Sequence, residues 1–162
     1  MFARIVSLLR WEPLEPGTSA TPLSLTADEG TWIKLPDFVG HLNVALVFFR
    51  AGDCPDTRKN LSSIQAVLPQ LQEREVAVFG VNTARPEALR ALRAELGLDF
   101  FLLYDPFGMA ARGFHASGRV TPRCRNQVVL IGKDGKVAHS RPGRVDGAEL
   151  LTLVDQVIRG AR

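Results

Sequence analysis

The sequence predicts an α/β fold in which a central mixed sheet carries helices on both faces. Two near-continuous apolar runs, 43–51 (NVALVFFRA) and 76–82 (VAVFGVN), are typical of strands buried on both sides. Each run is followed by a segment whose apolar residues recur at helical spacing. A strand pair and a closing helix come later, so the order is β-α-β-α, a connecting segment and β-β-α. Short, right-handed connections then place helices on both faces of one sheet.

Composition indicates one globular domain. The 162 residues suffice for a single domain with a sizeable core, and 46% of them are apolar, an ordinary value. No apolar run is long enough to span a bilayer, so no membrane association is expected. The start, MFARIVSLLRWEP, lacks the small-residue cleavage site of a signal peptide, which predicts a cytoplasmic protein. We expect an N-terminal extension over 1–18 and one domain over 19–162.

Positive charge is concentrated in one part of the chain. Between Arg112 and Arg144 there are eight Lys or Arg residues and a single acid, Asp134, within a net charge of +3. Most such patches are simply solvated surface. The alternative is that these residues form a basic rim that attracts anions to a nearby functional site. No zinc finger, aromatic RNA-binding motif or Lys/Arg tract accompanies the patch, so nucleic acid is not an expected partner.

Local signals define the elements of the first half. Residues 21–35 predict two short strands around the turn 28–30. Pro55 suits the first turn of the helix that follows the first buried run, because its missing N–H costs nothing there. Pro69 is expected to bend or end the regular part of that helix. The next helix is predicted over 85–98, with a proline near its start and a glycine near its end.

The second half predicts four further elements. Asp134 and Gly135 form the turn of a hairpin, and Asp146 is the expected N-cap of the last helix. A polar, basic loop over 115–126 precedes the hairpin. The four elements are a short strand over 100–106, one or two helical turns over 107–114, a hairpin over 127–141 and a helix over 146–160.

The two cysteines, Cys54 and Cys124, are too few for a disulfide scaffold, and the three histidines are too dispersed to complete a zinc site with them. The sequence also lacks a phosphate loop and a Ser-His-Asp order, so we expect no metal and no cofactor. Cys54 opens the stretch CPDT, which has the outline of a CxxC redox motif with Thr57 in place of the second cysteine. On the residues alone, Cys54 is either a reactive thiol or an inert, partly buried one.

The ordered set of segments resembles the peroxiredoxin-like AhpC/TSA branch of the thioredoxin fold, from about Ser19 to the C-terminus. Residues 23–55 resemble that family's hairpin, short loop, strand and Cys-Pro. Residues 102–114 (LLYDPFGMAARGF) resemble its Leu-x-Asp-Pro segment and short helix, and 128–137 (VVLIGKDGKV) resemble its late strand and Asp-Gly turn. The resemblance implies a thioredoxin-like fold with an N-terminal β-hairpin extension and a thiol-dependent peroxidase activity.

Several positions depart from the patterns of these relatives. Typical peroxiredoxins carry a threonine three residues before the peroxide-reacting cysteine, and this chain has Ala51 there. Thioredoxins place a cis-proline just before the late strand, where this chain has Gln127. The missing proline argues against a protein-disulfide reductase. Arg125 lies close to the position of an arginine that peroxiredoxins have near the start of that strand.

The resemblance implies that Cys54 is the nucleophile at the start of a helix, where the dipole and free N–H groups favour a thiolate. Thr57, in the first turn, is expected to donate a hydrogen bond to the sulfur, and Arg125 to add positive charge. Asp53 and Asp56 flank the thiol and oppose its ionisation. At an exposed site each of these effects is on the order of 1 kcal/mol, so neither side wins clearly.

A peroxide substrate would oxidise Cys54 to a sulfenic acid, which a second thiol must resolve. Cys124 is the candidate inside the chain, because the resemblance places its loop beside the nucleophile. Otherwise a thiol reductant, glutathione or a thioredoxin-like protein, must serve. Peroxiredoxin-like proteins often form homodimers, but no residue of the sequence indicates one here.

Two other functions remain open at this point. The missing second cysteine, the missing threonine and the flanking acids also fit a thioredoxin-fold module that binds a partner and catalyses nothing. A monothiol exchange enzyme that uses glutathione is the other alternative, and it would form a mixed disulfide on Cys54 with little direct reaction with peroxide.

Overall fold

Seven strands form one mixed sheet in the computed structural model, which describes residues 12–117 and 125–160. The strands are β1 (Ser24–Ala27), β2 (Trp32–Lys34), β3 (Asn43–Phe48), β4 (Val76–Asn82), β5 (Leu102–Tyr104), β6 (Gln127–Ile131) and β7 (Val137–Pro142). Their order across the sheet is β2-β1-β5-β4-β3-β6-β7. β3, β4 and β5 are parallel neighbours, and the other pairs are antiparallel.

The helices lie where the sequence predicts them. They are α1 (Pro55–Ala66), α2 (Leu68–Glu73), α3 (Pro86–Leu96), α4 (Met109–Gly113) and α5 (Gly147–Gly160), with 3-10 turns over Leu35–Phe38 and Pro106–Gly108. The predicted mixed sheet with an added N-terminal hairpin is therefore confirmed. Within the described residues, none of these helices has the length and apolarity needed to cross a membrane.

Local signals account for the helix boundaries. The helical run after β3 breaks at Val67, directly before the Leu68-Pro69 pair, because proline lacks the N–H that would continue the hydrogen bonding. α3 ends at Gly97, which adopts the left-handed conformation with φ 62°. Asp146 caps α5, since its carboxylate accepts a hydrogen bond of 2.9 Å from the N–H of Glu149. Each of these three predictions is confirmed.

Two apolar cores lie on opposite faces of the sheet. The first contains side chains of α1, α2, α3 and α5, and the second contains the β1–β2 hairpin, the 3-10 turn at Leu35–Phe38 and α4. Leu61 and Ile64 of α1 are fully buried in the first core. Burying one such side chain is worth about 1.5–3 kcal/mol, so these two residues hold α1 against the sheet.

The segment before β1 also packs on the domain. The N–H of Gly17 donates to the carbonyl of Val137 at 2.8 Å, and the N–H of Val137 donates to the carbonyl of Thr18, also at 2.8 Å. Leu14 packs against the second core. Residues 1–11 lie outside the described residues, and the boundary at 18/19 stays a prediction.

α1 and α5 approach closely at Gly147. The N–H of Gly147 donates to the hydroxyl of Ser63 at 2.9 Å, and a Cβ at this position would lie 2.2 Å from the backbone carbonyl oxygen of Ser63. Glycine is therefore required at this contact.

We expect Gly147→Ala to lower the free energy of unfolding by about 1–3 kcal/mol, because the added methyl forces α5 away from α1. Urea unfolding followed by circular dichroism measures the change. Gly160→Ala, in the same helix, is the matched control, because among the described residues the added carbon meets nothing within 4 Å beyond its chain neighbours and the nearby backbone of its own helix. Equal effects of the two substitutions would contradict the close contact.

Candidate functional site

Cys54 lies in the turn between β3 and α1, at the carboxyl edge of the three parallel strands. It is the N-cap residue of α1, with extended backbone (φ −68°, ψ 124°), and Pro55 is the first helical residue. Its carbonyl accepts the first helical hydrogen bond, 3.1 Å from the N–H of Arg58. The side chain is a free thiol that is partly exposed. The structure thus places Cys54 at a helix start, as the sequence predicts, and within reach of solvent.

The pKa of Cys54 is lowered from the ordinary value of a thiol. The backbone N–H of Thr57 makes the largest contribution, followed by that of Asp56. Burial raises the pKa, the Thr57 hydroxyl lowers it as a hydrogen-bond donor, and the charge of Asp56 raises it. Neither N–H closes a full capping hydrogen bond to the sulfur. The start of the helix therefore favours the thiolate more than Asp56 disfavours it.

Thr57 lies in the first turn of α1, next to the sulfur of Cys54. Its side chain is 3% exposed, so the hydroxyl lies on the buried side of the first turn. Cys54 and Thr57 are thus brought together by the three-residue spacing of one helical turn.

Asp56 is paired with an arginine from a distant part of the chain. Arg144 Nη1 lies 3.4 Å from Asp56 Oδ2, and both side chains are substantially exposed. Arg144 precedes α5, and the pair lies along a groove of about 590 Å³ between α1 and the start of α5. An exposed ion pair of this kind is weak, but it offsets part of the negative charge beside the thiol. No local pattern in the sequence predicts this pairing.

Two asparagines hold the strand end that leads to Cys54. Asn82, the last residue of β4, is 4% exposed and donates from Nδ2 to the carbonyl of Phe49 at 2.6 Å. Asn126 accepts a hydrogen bond of 3.2 Å from the N–H of Arg50 through Oδ1. Sequence reasoning missed both residues. A polar residue that ends a buried strand was the available signal for Asn82.

Arg125 reaches the same edge of the sheet. The antiparallel ladder of β3 and β6 ends with Phe48 opposite Gln127, and beyond it the N–H of Arg50 bonds to Asn126, the neighbour of Arg125. Its N–H donates to the carbonyl of Ala116 at 2.7 Å, and its side chain is exposed. Its predicted action on the thiol stays a prediction. Cys124 lies outside the described residues, so its predicted role as resolving thiol also stays a prediction.

Gln127 occupies a buried position at the start of β6. Its Nε2 donates to the carbonyl of Phe114 at 3.2 Å and to the hydroxyl of Ser140 at 2.8 Å. The first contact ties β6 to the segment after α4, and the second ties it to β7. Within the described residues, no three His, Cys, Asp or Glu side chains converge in the manner of metal ligands.

The model of the AhpC/TSA family matches residues 16–140, which include the turn with Cys54, the Asp-Pro segment and most of the late hairpin. The chain belongs to the AhpC/TSA family. The resemblance seen in the sequence is therefore confirmed, and with it the expectation of a peroxiredoxin-like member of the thioredoxin-fold superfamily. None of the curated proteins matches the chain.

Solved structures share the fold at low sequence identity. AhpC of Enterococcus faecalis is 17% identical with a TM-score of 0.83, covering 93% of this chain and 95% of that one. Peroxidoxin BcpB of Mycobacterium tuberculosis is 18% identical with a TM-score of 0.81, covering 92% and 99%. The bacterioferritin comigratory protein of Xanthomonas campestris is 17% identical with a TM-score of 0.77, covering 91% and 100%. This AhpC/TSA chain therefore has the fold of these proteins over nearly its whole length.

We expect Thr57→Val to raise the pKa of Cys54, because the substitution keeps the shape of the side chain but removes the hydroxyl that donates to the sulfur. Less thiolate is then present at neutral pH, and alkylation by iodoacetamide slows severalfold. The alkylation rate measured from pH 5 to pH 10 reports this shift.

Thr57→Ser is the matched control, since it retains the donor and should keep the profile near that of the unaltered chain. If Thr57→Val and Thr57→Ser give the same profile, the hydroxyl does not act on the sulfur.

Proposed function

We propose that this chain is a thiol-dependent peroxidase in which Cys54 is the nucleophile. The observation that carries the proposal is a partly exposed, free thiol at the start of α1 whose pKa is lowered by the N–H groups of the first turn. Membership of the AhpC/TSA family supports a peroxide substrate and a thiol reductant at the level of the family.

The reaction needs only the thiolate and a route for the leaving oxygen. The Cys54 thiolate attacks one oxygen of the peroxide, the O–O bond breaks, and the other oxygen leaves as hydroxide or alkoxide, which takes a proton from solvent. Sulfur is oxidised to the sulfenic acid, and the peroxide is reduced to water or alcohol. The helix N-terminus that favours the thiolate also offers N–H donors to the charged oxygens.

The proposal has two routes for the return to the thiol. In the first, the Cys124 thiol attacks the sulfenic acid, water leaves, and a Cys54–Cys124 disulfide forms. In the second, an external thiol such as glutathione or that of a thioredoxin-like protein takes the place of Cys124. Either disulfide is then reduced by a further thiol. The hydrogen bond between Arg50 and Asn126 supports the first route, because it brings the end of the loop that contains Cys124 beside the chain that leads to Cys54.

The substrate class is supported by one relative in particular. The Xanthomonas campestris protein is described by its alkyl peroxide reduction activity. We extend this to the present chain as a proposal, so both hydrogen peroxide and an alkyl hydroperoxide belong in the test. A homodimer, which only the family resemblance suggests, and the cytoplasmic location expected from the sequence are also parts of the proposal.

Cys54→Ser should abolish peroxide consumption, because the hydroxyl that replaces the thiol does not ionise near neutral pH and cannot be oxidised in this way. Peroxide loss is followed with hydrogen peroxide and with tert-butyl hydroperoxide, each with glutathione and with a thioredoxin system. Retained turnover in Cys54→Ser would contradict the proposal.

Cys124→Ser separates the two routes of reduction in the same assay. Loss of turnover together with a persistent sulfenic acid on Cys54, detected by mass spectrometry, indicates the internal route. Unchanged turnover with glutathione indicates the external one. A folded chain that gives neither sulfenic acid nor turnover would instead favour the non-catalytic binding module.

A further inference from the structure

We propose that Asn82 is a positioning residue for Cys54: its side-chain amide fixes the turn that leads from β3 to α1, and with it the orientation of the sulfur at the start of the helix. The inference deepens the proposed function, since it concerns how the same thiol is held. Its test is made on the thiol itself and does not require turnover.

The argument begins where the strand ladder ends. β3 and β4 pair in parallel up to Phe48 and Val81, and one more backbone hydrogen bond joins the N–H of Phe49 to the carbonyl of Val81 at 3.3 Å. Beyond this point β3 turns away toward Cys54. The carbonyl of Phe49, a residue that is 3% exposed, therefore needs a donor from outside the ladder.

The amide of Asn82 supplies that donor. Nδ2 lies 2.6 Å from the carbonyl oxygen of Phe49 and 3.4 Å from that of Arg50, so a side chain of β4 continues the pairing after the backbone has diverged. A buried carbonyl without a partner is unfavourable because it loses its hydrogen bond to water, which makes this contact a strong constraint on the path of the turn.

The other end of the amide fixes its orientation. Oδ1 accepts a hydrogen bond of 2.8 Å from the N–H of Ala84, two residues further along the chain. Because the oxygen faces an N–H and the nitrogen faces two carbonyls, the amide fits in only one of its two orientations. The Asn82 side chain thus constrains both segments that leave the sheet at this point, the one from β3 to Cys54 and the one from β4 toward α3.

The turn itself lies close to α3 on its other side. A Cβ at Gly52 would meet Cδ2 of Leu92 at 2.9 Å, and the N–H of Cys54 donates to the carbonyl of Ala51 at 3.4 Å. The segment from Arg50 to Cys54 is therefore short and compact, and it packs against α3. A shift at Arg50 is passed on to the sulfur, because few residues lie between them to absorb it.

The test compares Asn82→Ala with Val81→Ala. Val81 precedes Asn82 in β4 and is fully buried, so its truncation destabilises the same strand while leaving the backbone hydrogen bond to Phe49 in place. Both substitutions are uncharged, so the charges of Asp53, Asp56 and Arg144 around the thiol are unchanged.

For Asn82→Ala we expect amide hydrogen exchange at Phe49 and Arg50 to become about tenfold faster relative to exchange in the middle of β3, because the segment whose carbonyls Asn82 holds then opens more often. The pH profile of Cys54 alkylation should also move to higher pH, because the sulfur no longer keeps its place over the first turn of α1. Val81→Ala should lower the urea midpoint but leave the profile and the relative exchange rates unchanged.

Asn82→Ser provides the conservative variant, since its hydroxyl keeps a donor and an acceptor on a shorter side chain, and we expect a smaller shift than for alanine. It also carries the test if Asn82→Ala does not fold. The inference is overturned if the Asn82 variants lower the urea midpoint as Val81→Ala does and leave the pH profile of Cys54 unmoved. A moved profile without peroxidase activity would support the inference and count against the proposed function alone.

Discussion

The placement of Cys54 before the first-turn N–H groups of α1 is the constraint on which the candidate site depends. It exists only if α1 begins directly after the cysteine and if the helix cannot shift along the sheet. Pro55 supports the first condition, and the buried side chains of Leu61 and Ile64 support the second. Close packing at Gly147 then fixes α1 against α5.

Charge near the thiol is balanced rather than uniformly favourable. The carboxylate charge of Asp56 raises the pKa of Cys54, whereas the backbone N–H of the same residue lowers it. The carboxylate is in turn paired with Arg144, which lies on a different element. Backbone donors need no side-chain ordering, so the N–H groups of the first turn favour the thiolate without that entropic cost.

The fold is shared with proteins of low sequence identity. Solved structures at 17–18% identity share the fold with TM-scores of 0.81 and 0.83, because the alternation of buried strands and amphipathic helices is enough to specify it. The proposed chemistry depends on fewer positions. Ala51 and Thr57 stand where the family resemblance places a threonine and, in CxxC proteins, a second cysteine, so the proposed turnover would depend on Cys54, its helix and a second thiol.

The sequence by itself determined the order of elements, both central strands, the helix boundaries at Pro55 and Gly97 and the position of Cys54 at a helix start. These features follow from periodicity and from the backbone preferences of single residues, which are local properties. Only the tertiary structure decided that Asn82 would hold the turn before Cys54 and that Arg144 would pair with Asp56. Such contacts join residues far apart in the chain, and their partners are chosen by the packing of strands and helices, which no local pattern records.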